Sequence, residues 1–203
     1  PIFGALPFAL GATDSSFTDA FFEAMSGLTT TGATVISGLD YLPDGLLLWR
    51  SILQWLGGIG IIVVAMVFLP ELRVGGMQIF KSEGFDTFGK ILPRATEIAA
   101  QVAWLYVGLT GACAVLYIAT GMRSFDAVLH AMTTIATGGF STYDSSFVKF
   151  GASTEYAAVV FMCLAALPFV RYVQLINGAP GSLFQDSQVR VFFIVLLVTV
   201  GFL

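Results

Sequence analysis

The chain has 203 residues, 57% of them hydrophobic and only 11% charged, with 9 Lys plus Arg against 13 Asp plus Glu, where a charged share of about 25% is usual. A mean hydropathy of +0.87, with 19 Phe and 22 Gly, leaves too little charge to cover a soluble domain, and the composition excludes disorder and nucleic-acid binding. The class is integral membrane protein, expected to be all-α.

In chain order, residues 18–30 read as a short helix with Asp19 near its start, followed by the hydroxyl- and glycine-rich run Thr30, Thr31, Gly32, Ala33 and Thr34. Residues 46–69 form a first apolar stretch long enough to cross about 30 Å of hydrocarbon, with Arg50 and Gln54 in its opening turns. Residues 102–120 form a second, free of charge. Residues 125–137 repeat the short-helix pattern, with Asp126 near the start, and lead into Thr137, Gly138, Gly139, Phe140 and Ser141. A third stretch, 156–176, has Pro168 as an expected kink and Arg171 near its end; a fourth begins at Val191. A chain that opens on Pro1, without a cleavable signal, and stops inside an apolar run reads as an internal piece of a longer protein. Cys113 and Cys163 lie in apolar runs without metal-ligand spacing and read as small hydrophobes.

The two short helices are about half the length a bilayer crossing needs, so they read as re-entrant half-helices. Laid over each other at an offset of 107, residues 19–34 and 126–141 agree at Asp19/Asp126, Ala20/Ala127, Ala24/Ala131, Met25/Met132, Thr30/Thr137 and Gly32/Gly139, where chance gives about one identity. Ser26/Thr133, Leu28/Ile135 and Thr34/Ser141 are conservative pairs. Two full spans between the half-helices make the repeats parallel. Span, half-helix, Thr/Gly loop and span is the arrangement of a pore unit. A dehydrated cation at membrane depth needs its water shell replaced by oxygen dipoles. The two loops offer glycine for unusual backbone angles and hydroxyls as further oxygens, and each half-helix aims its negative C-terminal end at the loop.

Charge sorts across the two faces. The loop side carries Asp14, Asp19, Glu23, Asp40, Asp44, Asp126, Asp144 and Glu155 against Arg50, Arg123 and Lys149. The other side carries Arg73, Lys81, Lys90, Arg94, Arg171 and Arg190 against Glu71, Glu83, Asp86, Glu97 and Asp186. The positive-inside rule places the latter in the cytoplasm and the loops outside, at an acidic mouth that concentrates cations.

Four runs, DAFFEAMSGLTTTGAT at 19–34, WRSILQWLGGIGII at 49–62, VGGMQIF at 74–80 and TIATGGFS at 134–141, together resemble the membrane subunit of the Trk/Ktr/HKT potassium-transporter superfamily, closest to the bacterial TrkH type. The resemblance implies four pseudo-symmetric repeats around one potassium pathway, with Gly32 and Gly139 as the central filter glycines of the first two. It implies a first pore repeat over 1–70, a cytoplasmic linker over 71–95, a second pore repeat over 96–177, a linker over 178–190 and a truncated third repeat over 191–203. It further implies location in the cytoplasmic (inner) membrane in contact with lipid, a homodimer, and a cytosolic nucleotide-binding regulatory subunit of the TrkA type docking near residues 73–94. The family's gating loop and basic residue of the last repeat lie outside this chain. Sodium-conducting plant relatives often carry Ser where Gly32 stands, so the resemblance favours potassium; serine at either glycine is expected to weaken discrimination against sodium. The alternatives are a sodium or mixed monovalent-cation transporter of the same fold, or a secondary transporter with broken helices. An enzyme would need a nucleophile, metal cluster or carboxylate pair at depth, and no cofactor is expected beyond the potassium ion as transported substrate.

Other features have blander readings. Gly57, Gly58 and Gly60 serve close helix packing rather than nucleotide binding. His130, whose repeat partner is Glu23, is a structural or mouth-facing polar residue rather than a pH switch. Asp19 and Asp126 are helix caps. Arg50 either snorkels or braces the filter loop through an acid such as Asp40 or Asp44, and Arg171 reads as snorkelling at a cytoplasmic helix end, with a place facing the permeation path after the Pro168 kink as the alternative.

Overall fold

A computed structural model describes residues 1–11, 13–68, 94–179 and 181–202. Among them the chain is helical, without strands. The helices are α1 (Ile2–Leu10), α2 (Phe17–Leu28), α3 (Asp44–Phe68), α4 (Arg94–Ala119), α5 (Ser124–Ile135), α6 (Ala152–Ala166), α7 (Phe169–Ile176), α8 (Gly181–Phe184) and α9 (Ser187–Gly201). Short 3₁₀ turns at Leu39–Tyr41 and Ser146–Phe150 precede α3 and α6.

The duplication in sequence is a duplication in structure. Helices α2 and α5 are each 12 residues long and stand at the same offset of 107, as do the starts of the two 3₁₀ turns. The repeated alanines explain themselves: Ala20, Ala24, Ala127 and Ala131 are all fully buried, and small side chains there let neighbouring helices approach the backbones of α2 and α5. One apolar core gathers Ala5, Phe8, Ala20, Ala24, Leu47 and Leu53 from α1, α2 and α3, joined by Leu129 of α5. The other gathers Val102, Tyr106, Tyr117, Ala131, Ile135 and Phe161 from α4, α5 and α6.

Helix α3 lies between the short helices α2 and α5, and its glycines admit both. A Cβ on Gly57 would strike the backbone of Leu28, at the end of α2, and one on Gly58 would come within 3.1 Å of Ala136, just past α5. Close packing is therefore the role of Gly57 and Gly58, whereas Gly60 has open space beside it. Trp49 Nε1 donates to the Gly4 carbonyl at 2.9 Å, and Tyr106 OH to the Trp55 carbonyl at 3.0 Å, tying α3 to α1 and α4.

Several boundaries differ from expectation for physical reasons. The span expected at 46–69 is helical as Asp44–Phe68, 25 residues, or about 37 Å. Ile98–Ala119 within α4 is long and apolar enough to cross a membrane, four residues ahead of the expected start. The span expected over 156–176 is not one helix: α6 and α7 meet at 83°. Pro168 disfavours helical backbone at the residue before it, and Leu167 is extended, with ψ 151°, so the break is a corner rather than a kink. The helix expected from Val191 starts at Ser187, because Asp186 caps it by accepting from Gln188 N at 2.8 Å. Arg171 does not snorkel freely; its Nε donates to Asp186 at 2.6 Å and its Nη1 to Gln174 at 2.9 Å. The linker expected over 71–95, with Arg73, Lys81 and Lys90 and the run at 74–80, falls outside the described residues apart from 94 and 95, where α4 begins. Cys113 is buried, Cys163 half-buried, and both are free thiols.

Candidate functional site: two paired loops after the short helices

Helix α2 starts in a capping box: Ser16 Oγ accepts from Asp19 N at 3.2 Å, and Ser16 N donates to the Asp19 carboxylate at 3.3 Å. Asp19 is thus the third helical residue of the box, and Ser16 is the cap. Asp126 is not a cap either; Arg123 occupies that position without a side-chain cap. The Asp126 carboxylate instead accepts from Arg123 Nε at 3.0 Å, Tyr143 OH at 3.0 Å and Thr142 Oγ1 at 3.1 Å, which ties the start of α5 to the chain leaving the second loop. Burial alone would raise this carboxyl, but those donors outweigh it and hold Asp126 below the usual carboxylate range.

Helices α2 and α5 end the same way. Thr30 N donates to Gly27 O and Thr31 N to Ser26 O, each at 2.9 Å; Thr137 N donates to Thr134 O at 2.9 Å and Gly138 N to Thr133 O at 3.1 Å. This is the 6→1, 5→2 pattern that normally places glycine in the left-handed position. Here threonine holds it, with φ +55° at Thr30 and +56° at Thr137, and glycine follows two residues later with φ +77° at Gly32 and +75° at Gly139. A β-branched residue at positive φ is a genuine outlier and costs about 1–2 kcal/mol. The same strain occurs twice at matching positions, and φ alternates in sign along 30–33 and 137–140.

The alternation determines which oxygens are used. Ser26 Oγ donates to the Ala33 carbonyl at 2.5 Å, and its counterpart Thr133 Oγ1 to the Phe140 carbonyl at 2.8 Å; the Ser141 carbonyl accepts from Arg50 Nη1 at 2.8 Å. Among the described residues, no hydrogen bond reaches the carbonyl oxygens of Thr30, Thr31, Gly32, Thr137, Gly138 or Gly139. The Gly138 oxygen lies against Gly32, where a Cβ would otherwise project, so the loops of the two repeats touch at their glycines. A cavity of about 180 Å³ adjoins them, lined by Gly32, Thr34, Arg50, Gly139, Phe140, Ser141, Tyr143 and Asp144 among others.

The last hydroxyl of each loop is held by the short helix before it. Thr34 Oγ1 donates to the fully buried Glu23 carboxylate at 2.8 Å, and Val35 N donates to it at 3.1 Å. In the second repeat His130 stands in Glu23's place, also fully buried. Its Nδ1 lies 2.9 Å from the Asp126 carbonyl, which can only accept, so Nδ1 carries the proton. In the neutral ring Nε2 then accepts from Ser141 Oγ at 3.1 Å. His130 is structural, packed edge-on against Phe147 and Phe150.

The acid that partners Arg50 is Glu23, at 2.7 Å with both side chains buried, not Asp40 or Asp44. Asp40 and Asp144 instead join the turns that follow the two loops: Asp144 accepts from Gly38 N at 2.9 Å and Leu39 N at 3.2 Å, and Asp40 accepts from Asp144 N at 3.1 Å and Lys149 Nζ at 3.4 Å. The Asp144 N–H, followed by Lys149, holds the Asp40 carboxyl below its ordinary range. Sequence reasoning did not single out Gln54, Ser26 or Thr133. The available signals were the conservative Ser26/Thr133 pair and the i, i+4 spacing of Arg50 and Gln54 in an apolar helix, where polar groups need partners.

With this geometry described, comparison with known proteins identifies the family. The TrkH family, described as cation transport protein, matches residues 4–202. The Trk system potassium uptake protein TrkI of Halomonas elongata is 44% identical over 200 residues, covering 98% of this chain and 41% of that protein. The TrkH protein of Escherichia coli K12, of the same Trk system potassium uptake description, is 43% identical over 194 residues, covering 93% of this chain and 40% of that protein. TrkG of Escherichia coli K12 is 38% identical over 187 residues, 90% of this chain and 38% of that protein. The chain thus spans about two-fifths of the length of these relatives, and it belongs to the TrkH family of cation transport proteins.

Proposed function

We propose that the chain supplies two of the ion-coordinating loops of a potassium uptake protein, a transport rather than enzymatic role. The observation that carries this reading is the run of carbonyl oxygens without donors at Thr30, Thr31 and Gly32 and again at Thr137, Gly138 and Gly139. Thr31 and Thr137 are exposed and Thr30, Gly32, Gly138 and Gly139 half-buried, so these oxygens are open to a ligand, and a dehydrated monovalent cation, which needs its water shell replaced by oxygen dipoles, is the partner such a row suits. Alternating signs of φ turn successive peptide planes toward one side, which a regular strand does not do. Ala33, Thr34, Phe140 and Ser141 complete the loops, with Ala33, Phe140 and Ser141 spending their carbonyls on bracing.

In this reading α2 and α5, about 18 Å long, are re-entrant half-helices of parallel repeats over 1–70 and 96–177, joined by cytoplasmic linkers over 71–95 and 178–190, with a third repeat opening in 191–203. The loops face outward in a multi-pass protein of the cytoplasmic membrane, and the cavity beside Asp144 is part of the outer vestibule. The membrane potential drives uptake. The potassium-uptake names of the relatives, together with glycine at Gly32 and Gly139, favour potassium over sodium. A homodimer with a cytosolic TrkA-type regulatory subunit completes the assembly.

The test is potassium uptake, with sodium as competitor, in cells without their own potassium uptake systems that express the complete protein with its regulatory subunit. Rescue of growth at low potassium that resists sodium supports the reading. Membrane delivery with no uptake, or with sodium uptake of equal affinity, contradicts it.

A further inference from the structure

Two polar side chains of α3 belong to the first repeat by chain connectivity but hold the loop of the second. Arg50 is 1% exposed and uses its whole fork: Nε donates to Glu23 at 2.8 Å, Nη2 to Thr34 Oγ1 at 3.2 Å, and Nη1 to the Ser141 carbonyl at 2.8 Å. Its guanidinium also lies over the Phe140 ring, 4.3 Å from the centroid. One turn further along the same face, the fully buried Gln54 accepts from Phe140 N at 2.9 Å through Oε1. That bond fixes the amide orientation and leaves Nε2 buried without a partner in the structure, 3.7 Å from where a Gly32 Cβ would stand and packed against Gly138. Consecutive backbone groups of the second loop, the Phe140 N–H and the Ser141 carbonyl, are thus fixed by a helix of the first repeat.

The repeat symmetry stops there. At the offset of 107, Arg50 and Gln54 correspond to Ala157 and Phe161 in α6, which offer no hydrogen bond to any loop. A buried, charge-paired fork in an apolar helix is costly to maintain for stability alone, since apolar residues of similar volume pack there at least as well. We propose that Arg50 and Gln54 are positioning residues for ion selection: they set the spacing of the second loop against the first, so that the pair of loops is registered from the first repeat and α6 provides no equivalent. This inference rests on the carbonyl-filter reading above, and Arg50 acts through the loops without touching the ion.

The experiment uses the complete protein with Arg50→Lys and, separately, Gln54→Leu. Lysine keeps a cation beside Glu23 but cannot bridge Thr34 and Ser141 simultaneously; leucine keeps the volume and removes the acceptor for Phe140 N. Two readouts are taken: potassium-over-sodium preference in uptake, and backbone hydrogen exchange of residues 137–143 in purified protein. Each variant is expected to lower the preference about tenfold, the scale of losing one well-placed hydrogen bond to a buried group, with maximal uptake retained and exchange at 137–143 accelerated. A role in packing or charge balance alone would be restored by lysine, so unchanged preference and exchange in Arg50→Lys overturns the proposal, as does unchanged preference and exchange in Gln54→Leu. Should Arg50→Lys fail to reach the membrane, normal behaviour of Gln54→Leu still overturns it. Should the parent protein show no potassium preference, the filter reading fails by itself, while the exchange data continue to judge the bracing.

Discussion

Alanine in place of Gly32 or Gly139 separates two physical effects that the sequence presents as equivalent. Both glycines sit in the left-handed region, at +77° and +75°, so either substitution carries the backbone penalty of about 1–2 kcal/mol. The space around them differs. A Cβ on Gly139 meets only Met162 Cε at 3.5 Å, an ordinary contact, whereas one on Gly32 collides with the Gly138 carbonyl, a backbone atom of the other loop. Gly139→Ala therefore shifts the loop population by about 5- to 30-fold and leaves the first loop in place. Gly32→Ala adds a clash that only displacement of the second loop relieves, so both loops move. In competition uptake by the complete protein, Gly32→Ala is expected to lose most discrimination between potassium and sodium, and Gly139→Ala only part of it. Equal losses in the two variants, or a larger loss in Gly139→Ala, would refute the contact between the loops.

Thr137→Gly relieves the left-handed threonine at φ +56° at an entropic cost of about 0.5–1 kcal/mol; a slightly higher melting temperature with weaker ion discrimination is expected, and a clear drop in melting temperature contradicts stored strain. Asp126 titrates below its unfolded value of about 4, so its contribution to stability is complete above that pH and is lost as pH falls through the folded value. Melting curves of the complete protein between pH 7 and about pH 3 should therefore show an acid limb that Asp126→Asn reduces; an identical limb in the variant contradicts the network with Arg123, Tyr143 and Thr142. Gly57→Ala forces a Cβ into the Leu28 backbone and is expected to cost about 1–3 kcal/mol, read as lower melting temperature and membrane abundance; wild-type stability would contradict the close approach of α3 to α2.

What could be read from the sequence was local and repeated. The two short helices were found within two residues at their ends, because apolar spacing and the offset of 107 act over short stretches; the residual error came from threonines that leave the helix for positive φ, a step composition does not signal. The alanine pairs and the paired Gly32 and Gly139 were visible in the same repeat, whereas the burial of those alanines came only with the structure. Long-range partners were not legible. Glu23 and Arg50 are 27 residues apart, and Arg50 and Ser141 are 91 apart, so nothing in the spacing distinguished Glu23 from Asp40 or Asp44 as the partner. Pro168 announced a break, but the 83° corner depends on how α7 packs against α4. Asp126 looked like a cap because Asp at a helix start is a favoured capping residue, but it stands three residues inside; its partners Thr142 and Tyr143 come from beyond the loop.

The central claim is that the unpartnered carbonyls of 30–32 and 137–139 coordinate the transported ion. The most direct measurement is the anomalous scattering of thallium or rubidium bound to the complete protein, mapped relative to these loops. Ion density is expected within coordination distance of the Thr30, Thr31, Gly32, Thr137, Gly138 and Gly139 oxygens, reduced by Gly32→Ala. Ion density elsewhere in the membrane region, with these oxygens bound instead by protein donors from the remaining part of the molecule, would contradict it.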